Sequence, residues 1–204
     1  MQTRRLILAS LALAGVLGPD SSATAQDVVR VRGTIERIEG DVYVVKARDG
    51  GSTLRLTLVA DAGVAASVKS AFSDIKPGAY IGVAGLPQAD GSQRALEVHI
   101  FHESMRGTGE GHRPWDRQPN STMTNATVDQ VINVVDGHTV TVRYTGGEQR
   151  IHIPPGTVIV TYLPGSVAEL VPGAAIFVPA ANKQQDGTLQ AQRIMVGRDV
   201  APPQ

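Results

Sequence analysis

IKPGAYIGV, residues 75–83, returns as LVPGAAIFV at residues 170–178. A second copy of a nine-residue pattern is a reason to look for a duplicated unit before anything else. Downstream, Asp90-Gly91-Ser92 matches Asp186-Gly187-Thr188, and Ala95-Leu96-Glu97-Val98 matches Ala191-Gln192-Arg193-Ile194. Upstream, Thr34-Ile35-Glu36-Arg37-Ile38 matches Thr127-Val128-Asp129-Gln130-Val131, and Gly50-Gly51 matches Gly146-Gly147. The offset stays within 93–96 residues and every landmark keeps its order. The chain is a tandem duplication.

Each copy reads as short strands punctuated by turns. Val31 to Ile38 alternates apolar and polar residues, with an irregularity before Ile38. Val42 to Ala47 is β-branched, and Asp49-Gly50-Gly51 is a hairpin signal. Leu54, Leu56 and Leu58 alternate with Arg55 and Thr57, the pattern of a strand with one buried face. Asp61 to Ser73 is Ala-rich, with Val64, Val68 and Phe72 at helical spacing, and fits a short helix or a loop with one helical turn. Pro77-Gly78 restarts the chain before a hairpin across Asp90-Gly91. In the second copy Pro154-Pro155 and Val158-Ile159-Val160 replace the Ala-rich stretch and read as an added strand. Five or six short antiparallel strands per copy predict an all-β chain of two small OB-like barrels. Closing each sheet removes edges that would pair with other chains.

The organisation expected is a signal peptide over residues 1–25, a first barrel over 26–101, a connector over 102–123, a second barrel over 124–198 and a disordered tail over 199–204. Arg4-Arg5, an apolar run from Leu6 to Leu17 and Ala23-Thr24-Ala25 make the secretory signal, with cleavage before Gln26 and a periplasmic or secreted product. The run is shorter than a membrane span, and no later segment approaches that length. The chain holds no cysteine, so disulfide and thiolate chemistry are excluded. Residues 26–204 carry 17 basic and 18 acidic residues. So balanced a chain gains little from counterion release, which argues against nucleic acid as a partner, and against a polybasic membrane role.

With both copies following the L/I-x-P-G-A…D-G-[ST]…A-x-x-[VI] pattern, the sequence resembles a bacterial exported domain of unknown function with an OB-like barrel. Over residues 28–199, including "RGTGEGHRPWD", it is similar to two-repeat secreted proteobacterial proteins often labelled "metal ABC transporter permease". The resemblance implies architecture. The permease part of that label conflicts with this sequence, which offers no transmembrane bundle. Any metal connection it implies is that of a soluble accessory.

The connector HESMRGTGEGHRPWD, residues 102–116, concentrates the chemistry. Gly107, Gly109 and Gly111 alternate, a spacing that permits positive φ and turns N–H groups toward an anion. Arg106 and Arg113 suit a carboxylate or phosphate, or pair with neighbouring acids. Trp115, the single tryptophan, is expected to fill the seam between barrels or to serve as a stacking plate. Together Arg106, Gly107, Gly109, Glu110, Gly111, His112, Arg113 and Trp115 form the candidate surface for a small ligand or an envelope protein. His102, Glu103, His112 and Asp116 are the alternative, a mixed nitrogen and oxygen set for zinc, copper or nickel. Glu110 beside His112 is the acid–base pair of a third reading, an envelope hydrolase, for which no nucleophile is evident. The first reading is non-catalytic binding.

Overall fold

The computed structural model describes residues 28–48, 50–198 and 200–202. The expected signal segment and its cleavage site lie outside these residues.

Twelve strands are present among the described residues. They are β1 (Val28–Glu39), β2 (Val42–Ala47), β3 (Thr53–Lys69), β4 (Tyr80–Pro87), β5 (Gln93–Phe101), β6 (Gly111–Pro114), β7 (Thr122–Val134), β8 (Gly137–Tyr144), β9 (Gly147–Ile153), β10 (Val158–Pro164), β11 (Ala175–Lys183) and β12 (Leu189–Gly197). The irregularity read before Ile38 is a register shift between Ile35 and Arg37, and β7 repeats it between Val128 and Gln130. The added strand is β10. The Ala-rich stretch is not helical. Strand β3 continues through it to Lys69, and only Phe72–Asp74 forms a 3-10 turn. The small side chains of Ala65 and Ala66 let β3 lie between β10 and β12, both of which pair with it there. That packing overrides the helical spacing of Val64, Val68 and Phe72.

The closed five-stranded barrel predicted from sequence is present, but one copy does not build it alone. Strands β1, β2 and β3 come from the first copy, β11 and β12 from the second. The ring runs β1–β2–β3–β12–β11 and returns to β1, with β3 and β12 parallel from Leu189↔Leu56 to Gly197↔Ser67. Strands β4 and β5 join β7, β8 and β9 in the same order, and the ends of that set meet at a short parallel contact, Gln93↔Ile151 and Arg94↔His152. Domains running 26–101 and 124–198 are therefore corrected: the copies exchange their last two strands. Sequence hides this because matched positions offer the same contacts to either partner, as in any exchange of identical elements.

The crossover has a visible cause. Strand β3 reaches the seam at the end of the first ring, and β10, which follows β9, pairs antiparallel with it from Val160↔Lys69 to Pro164↔Ala65. Each copy thus reaches the seam before its last hairpin, and that hairpin lands on the other ring. Three apolar clusters result. Val31, Ile35, Leu56, Ile176 and Ile194 fill the first ring, and Ile81, Val98, Val128, Val140 and Ile151 fill the second set. Ala65, Tyr80, Phe101, Val160, Tyr162, Phe177 and Met195 form a third between them.

The expected disordered tail is corrected in part. Val200 packs against the seam cluster, Pro202 is buried, and Ser67 Oγ donates to the Val200 carbonyl at 3.2 Å. An ideal Cβ at Gly197 would lie 2.4 Å from that carbonyl, so glycine there is what lets the chain fold back.

Candidate functional site

A cavity of about 170 Å³ opens at the seam, lined among others by His99, Asn125, Arg113, Trp115, Phe177 and Met195. Its walls are two matched rows of the duplicated sheet. In one, Asn125, Gly82 and His99 lie side by side on β7, β4 and β5. In the other, Arg32, Phe177 and Met195 lie side by side on β1, β11 and β12. Gly82 and Phe177 hold the same place in the repeated nonapeptide, and the flanking residues correspond likewise. One copy fills its row with a ring and a thioether. The other leaves a gap between an amide and an imidazole.

Glycine at position 82 is what keeps that gap. An ideal Cβ there would sit 2.7 Å from Asn125 Oδ1, 3.0 Å from Phe101 Cε2 and 3.4 Å from His99 Nδ1. Asn125 is 5% exposed, and its Nδ2 donates to the Thr108 carbonyl at 2.9 Å, which orients the amide. Its Oδ1 has no hydrogen-bond partner. His99 is buried, with Nε2 3.3 Å from Glu97 Oε1, and the Arg117 guanidinium lies 3.5 Å from the other oxygen of that carboxylate. Burial, then the Glu97 charge, holds the Tyr162 phenol well above its usual range. Tyr162 stays neutral, edge-on to His99 at 5.3 Å between ring centroids.

The connector supplies the rim. Strand β6 pairs with β7, from Gly111↔Asn125 to Pro114↔Thr122. Its alternation half-buries Gly111, Arg113 and Trp115 and exposes His112, Pro114 and Asp116. Trp115 packs against the seam cluster, as expected of an anchor, with the Arg30 guanidinium 4.2 Å from its ring centroid. Its Nε1–H is buried and has no acceptor. Arg113 NH1 donates to the Gly109 carbonyl at 2.6 Å. Burial and the neighbouring Arg30 charge lower the pKa of Arg113. Tyr80, whose hydroxyl donates to the Thr108 carbonyl at 3.2 Å, is pushed up to about 12 by burial and by the Glu110 charge.

Of the candidate binding residues, Gly109, Arg113 and Trp115 line this cavity. The others do not. Arg106 makes a two-point contact with Glu103, at 2.5 and 2.7 Å, which lowers the Glu103 pKa. Glu110 accepts from the Thr145 N–H and hydroxyl at 2.6 and 3.0 Å. Gly107, Gly109 and Gly111 all have positive φ, as the spacing suggested. The surrounding turns use the Thr108 and Glu110 amides, which donate to the Met105 and Gly107 carbonyls.

The metal set is not brought together. His102 Nδ1 meets Ser104 Oγ at 2.9 Å, and His112 Nδ1 meets Thr124 Oγ1 at 2.8 Å. Burial, then the Arg113 charge, lowers the His112 pKa. Asp116 pairs with Arg32 at 2.8 Å and Arg30 at 3.3 Å. Among the described residues no three His, Asp or Glu side chains form a group able to hold a metal ion. The arginines that stabilise Glu103 and Asp116 compete for the carboxylates a metal would need.

Sequence reasoning missed His99, Asn125, Gly82, Tyr162 and Arg193. Asn125 lies in an Asn-x-Thr pattern on a strand rich in threonine, which does not mark it as a site residue. The signal was available in the alignment of the two copies: Gly82 faces Phe177, and His99 faces Met195.

Comparison with protein-family profiles, curated proteins and solved structures finds no match to this chain. Among the described residues no helix is long and apolar enough to cross a membrane.

Proposed function

We propose that this is an exported, non-catalytic binding protein whose ligand is a small molecule held at the seam cavity. The observation that carries the reading is a pair of buried, unpartnered polar atoms on two residues that line it, Asn125 Oδ1 and Trp115 Nε1. Leaving such a group unsatisfied costs about 1–3 kcal/mol each. A ligand with one donor and one acceptor offsets both costs, so the unfilled valences favour an occupant. Mixed lining supports the same reading. Aromatic and thioether walls with a few fixed polar groups are the usual make-up of small-molecule sites. On this reading the export signal over residues 1–25 delivers the protein outside the cytoplasm, and the first residue of the exported protein is Gln26.

Trp115 is the single tryptophan, so its emission reports on this site alone. The exported protein, purified without a tag, is titrated with a set of single-ring compounds while Trp115 emission is followed. Saturable shifts that disappear in Gly82→Ala, with the fold retained by circular dichroism, support the reading. Shifts that persist unchanged in Gly82→Ala, or an absence of shifts across the set, overturn it. N-terminal sequencing of the same material tests the export claim; a chain beginning at Met1 refutes it.

A further inference from the structure

We infer that the ligand of the seam cavity is a small carboxylate borne on a single ring, of which benzoate is the simplest probe. This rests on the binding function proposed above and names its ligand class. Three observations carry it: charge, hydrogen-bonding capacity and size.

Charge comes first. Arg113 and Arg193 both line the cavity. Among the described residues neither has a carboxylate within 4 Å, whereas ten other arginine–carboxylate pairs are made. The nearby acids are engaged. Asp116 is shared by Arg30 and Arg32, and Glu97 by His99 and Arg117. Arg113 is therefore a half-buried cation beside a second cation, Arg30, and its lowered pKa follows from that placement. Withdrawing a guanidinium from water without a counter-ion is unfavourable, and an anion in the cavity offsets that cost.

Hydrogen-bonding capacity then narrows the anion. The Trp115 Nε1–H donates and cannot accept, and a guanidinium has five donors, of which Arg113 spends one on the Gly109 carbonyl. A planar carboxylate takes donors at both oxygens and matches a guanidinium edge. Asn125 Oδ1 accepts and is unpartnered, so it suits a hydroxyl or amino substituent whose ring sits close enough to reach it.

Size sets the remainder. A cavity of about 150 Å³ lined by apolar side chains holds benzene. The seam cavity, at about 170 Å³, has room for one six-membered ring and a small substituent. Phe101, Phe177, Met123 and Met195 supply the apolar walls for its faces and edges.

The test compares benzoate with benzamide, its neutral near-isostere, by Trp115 emission and calorimetry on the tag-free exported protein. Benzoate is expected to bind about tenfold or more tightly than benzamide, the worth of one charge-assisted hydrogen bond. Arg113→Gln is expected to remove that advantage, and Arg113→Lys to restore it in part. Equal binding of the two probes, or a benzoate advantage that survives Arg113→Gln, overturns the carboxylate assignment while leaving a cavity that binds ligands. Failure of both probes, and of toluene, to move Trp115 emission removes the binding function and this inference with it.

Discussion

Ser67 and Tyr162 are direct partners across the antiparallel pairing of β3 and β10, and they are the same position of the two copies. Ser67 pairs in parallel with Gly197, and Tyr162 with Phe101. Gly197 and Phe101 are themselves matched, 96 residues apart. The pseudo-two-fold axis of the molecule therefore passes between Ser67 and Tyr162. Around that axis the two hairpins change partners. A protease site placed between Arg117 and Asn120, in the exposed part of the connector, tests this. The cut halves should co-elute in native gel filtration and unfold with the uncut chain in one urea transition, because each ring contains strands of both. Halves that separate without denaturant would mean that each copy closes its own barrel.

Gly82 is the position where a single methyl group changes the site most. Its backbone does not need glycine for a positive φ, so alanine meets no backbone strain. What it meets is Phe101 and the Asn125 amide. Overpacking of this kind costs about 1–3 kcal/mol. Gly82→Ala should lower the urea midpoint accordingly and abolish the benzoate response of Trp115. The matched change on the other copy, Phe177→Gly, should instead enlarge the cavity, at a cost of about 3–5 kcal/mol.

The strands and their duplication could be read from alternation, from turn pairs such as Asp90-Gly91 and from the recurrence of IKPGAYIGV. Those signals are local. Which hairpin closes which ring is not local: Ile81 and Ile176, matched between the copies, are both buried apolar residues, and nothing in their type assigns them to a ring. The helical spacing of Val64, Val68 and Phe72 misled because three strands, not one, determine the conformation of Ala65 and Ala66. The connector drew attention through its composition, and Gly109, Arg113 and Trp115 do reach the cavity. Its other charged residues are occupied with Glu103, Thr145 or the Arg30–Arg32 pair. The remainder of the site lies on strand residues whose only mark is that they differ between copies.

The two matched Asp-Gly-Ser/Thr turns predict an acid limit. Asp90 Oδ1 accepts from the Ser92 hydroxyl and N–H at 2.6 and 3.0 Å, and Asp186 Oδ1 does the same with Thr188 at 2.7 and 2.9 Å. These bonds favour the ionised form. The Ser92 hydroxyl and amide, with Arg150, lower Asp90 to about 2, and the Thr188 amide and hydroxyl lower Asp186. A carboxylate whose folded pKa is depressed stabilises the fold above its unfolded value and ceases to do so as pH falls through the folded one. Stability should be level with respect to these groups above about pH 4 and decline toward pH 2. Asp90→Asn should flatten part of that decline, measured as urea midpoint against pH. A decline of equal size in Asp90→Asn would show that the turn contributes nothing to it.

Asn125 and Gln93 are both buried amides, and they should respond to mutation in opposite ways. Gln93 is 1% exposed with both ends satisfied. Its Nε2 donates to the Thr122 carbonyl and hydroxyl at 3.0 and 2.9 Å, and its Oε1 accepts from Thr124 Oγ1 at 2.9 Å. Removing it takes a partner from each of them, at about 1–3 kcal/mol for a group left buried and unsatisfied, although Thr124 Oγ1 keeps His112 and Thr122 Oγ1 keeps the Gly85 carbonyl. Asn125 gives up one bond, to a Thr108 carbonyl that Tyr80 also serves, and its Oδ1 is an unmet cost in the ligand-free fold. Asn125→Leu should therefore lower the urea midpoint less than Gln93→Leu. Its effect on binding should be the reverse: a hydroxybenzoate loses its advantage over benzoate in Asn125→Leu and keeps it in Gln93→Leu. A residue retained at a cost to stability but required for affinity is what a ligand site predicts. If Asn125→Leu instead destabilises as much as Gln93→Leu and leaves ring-hydroxyl discrimination intact, the amide is part of the frame and the cavity's selectivity lies elsewhere.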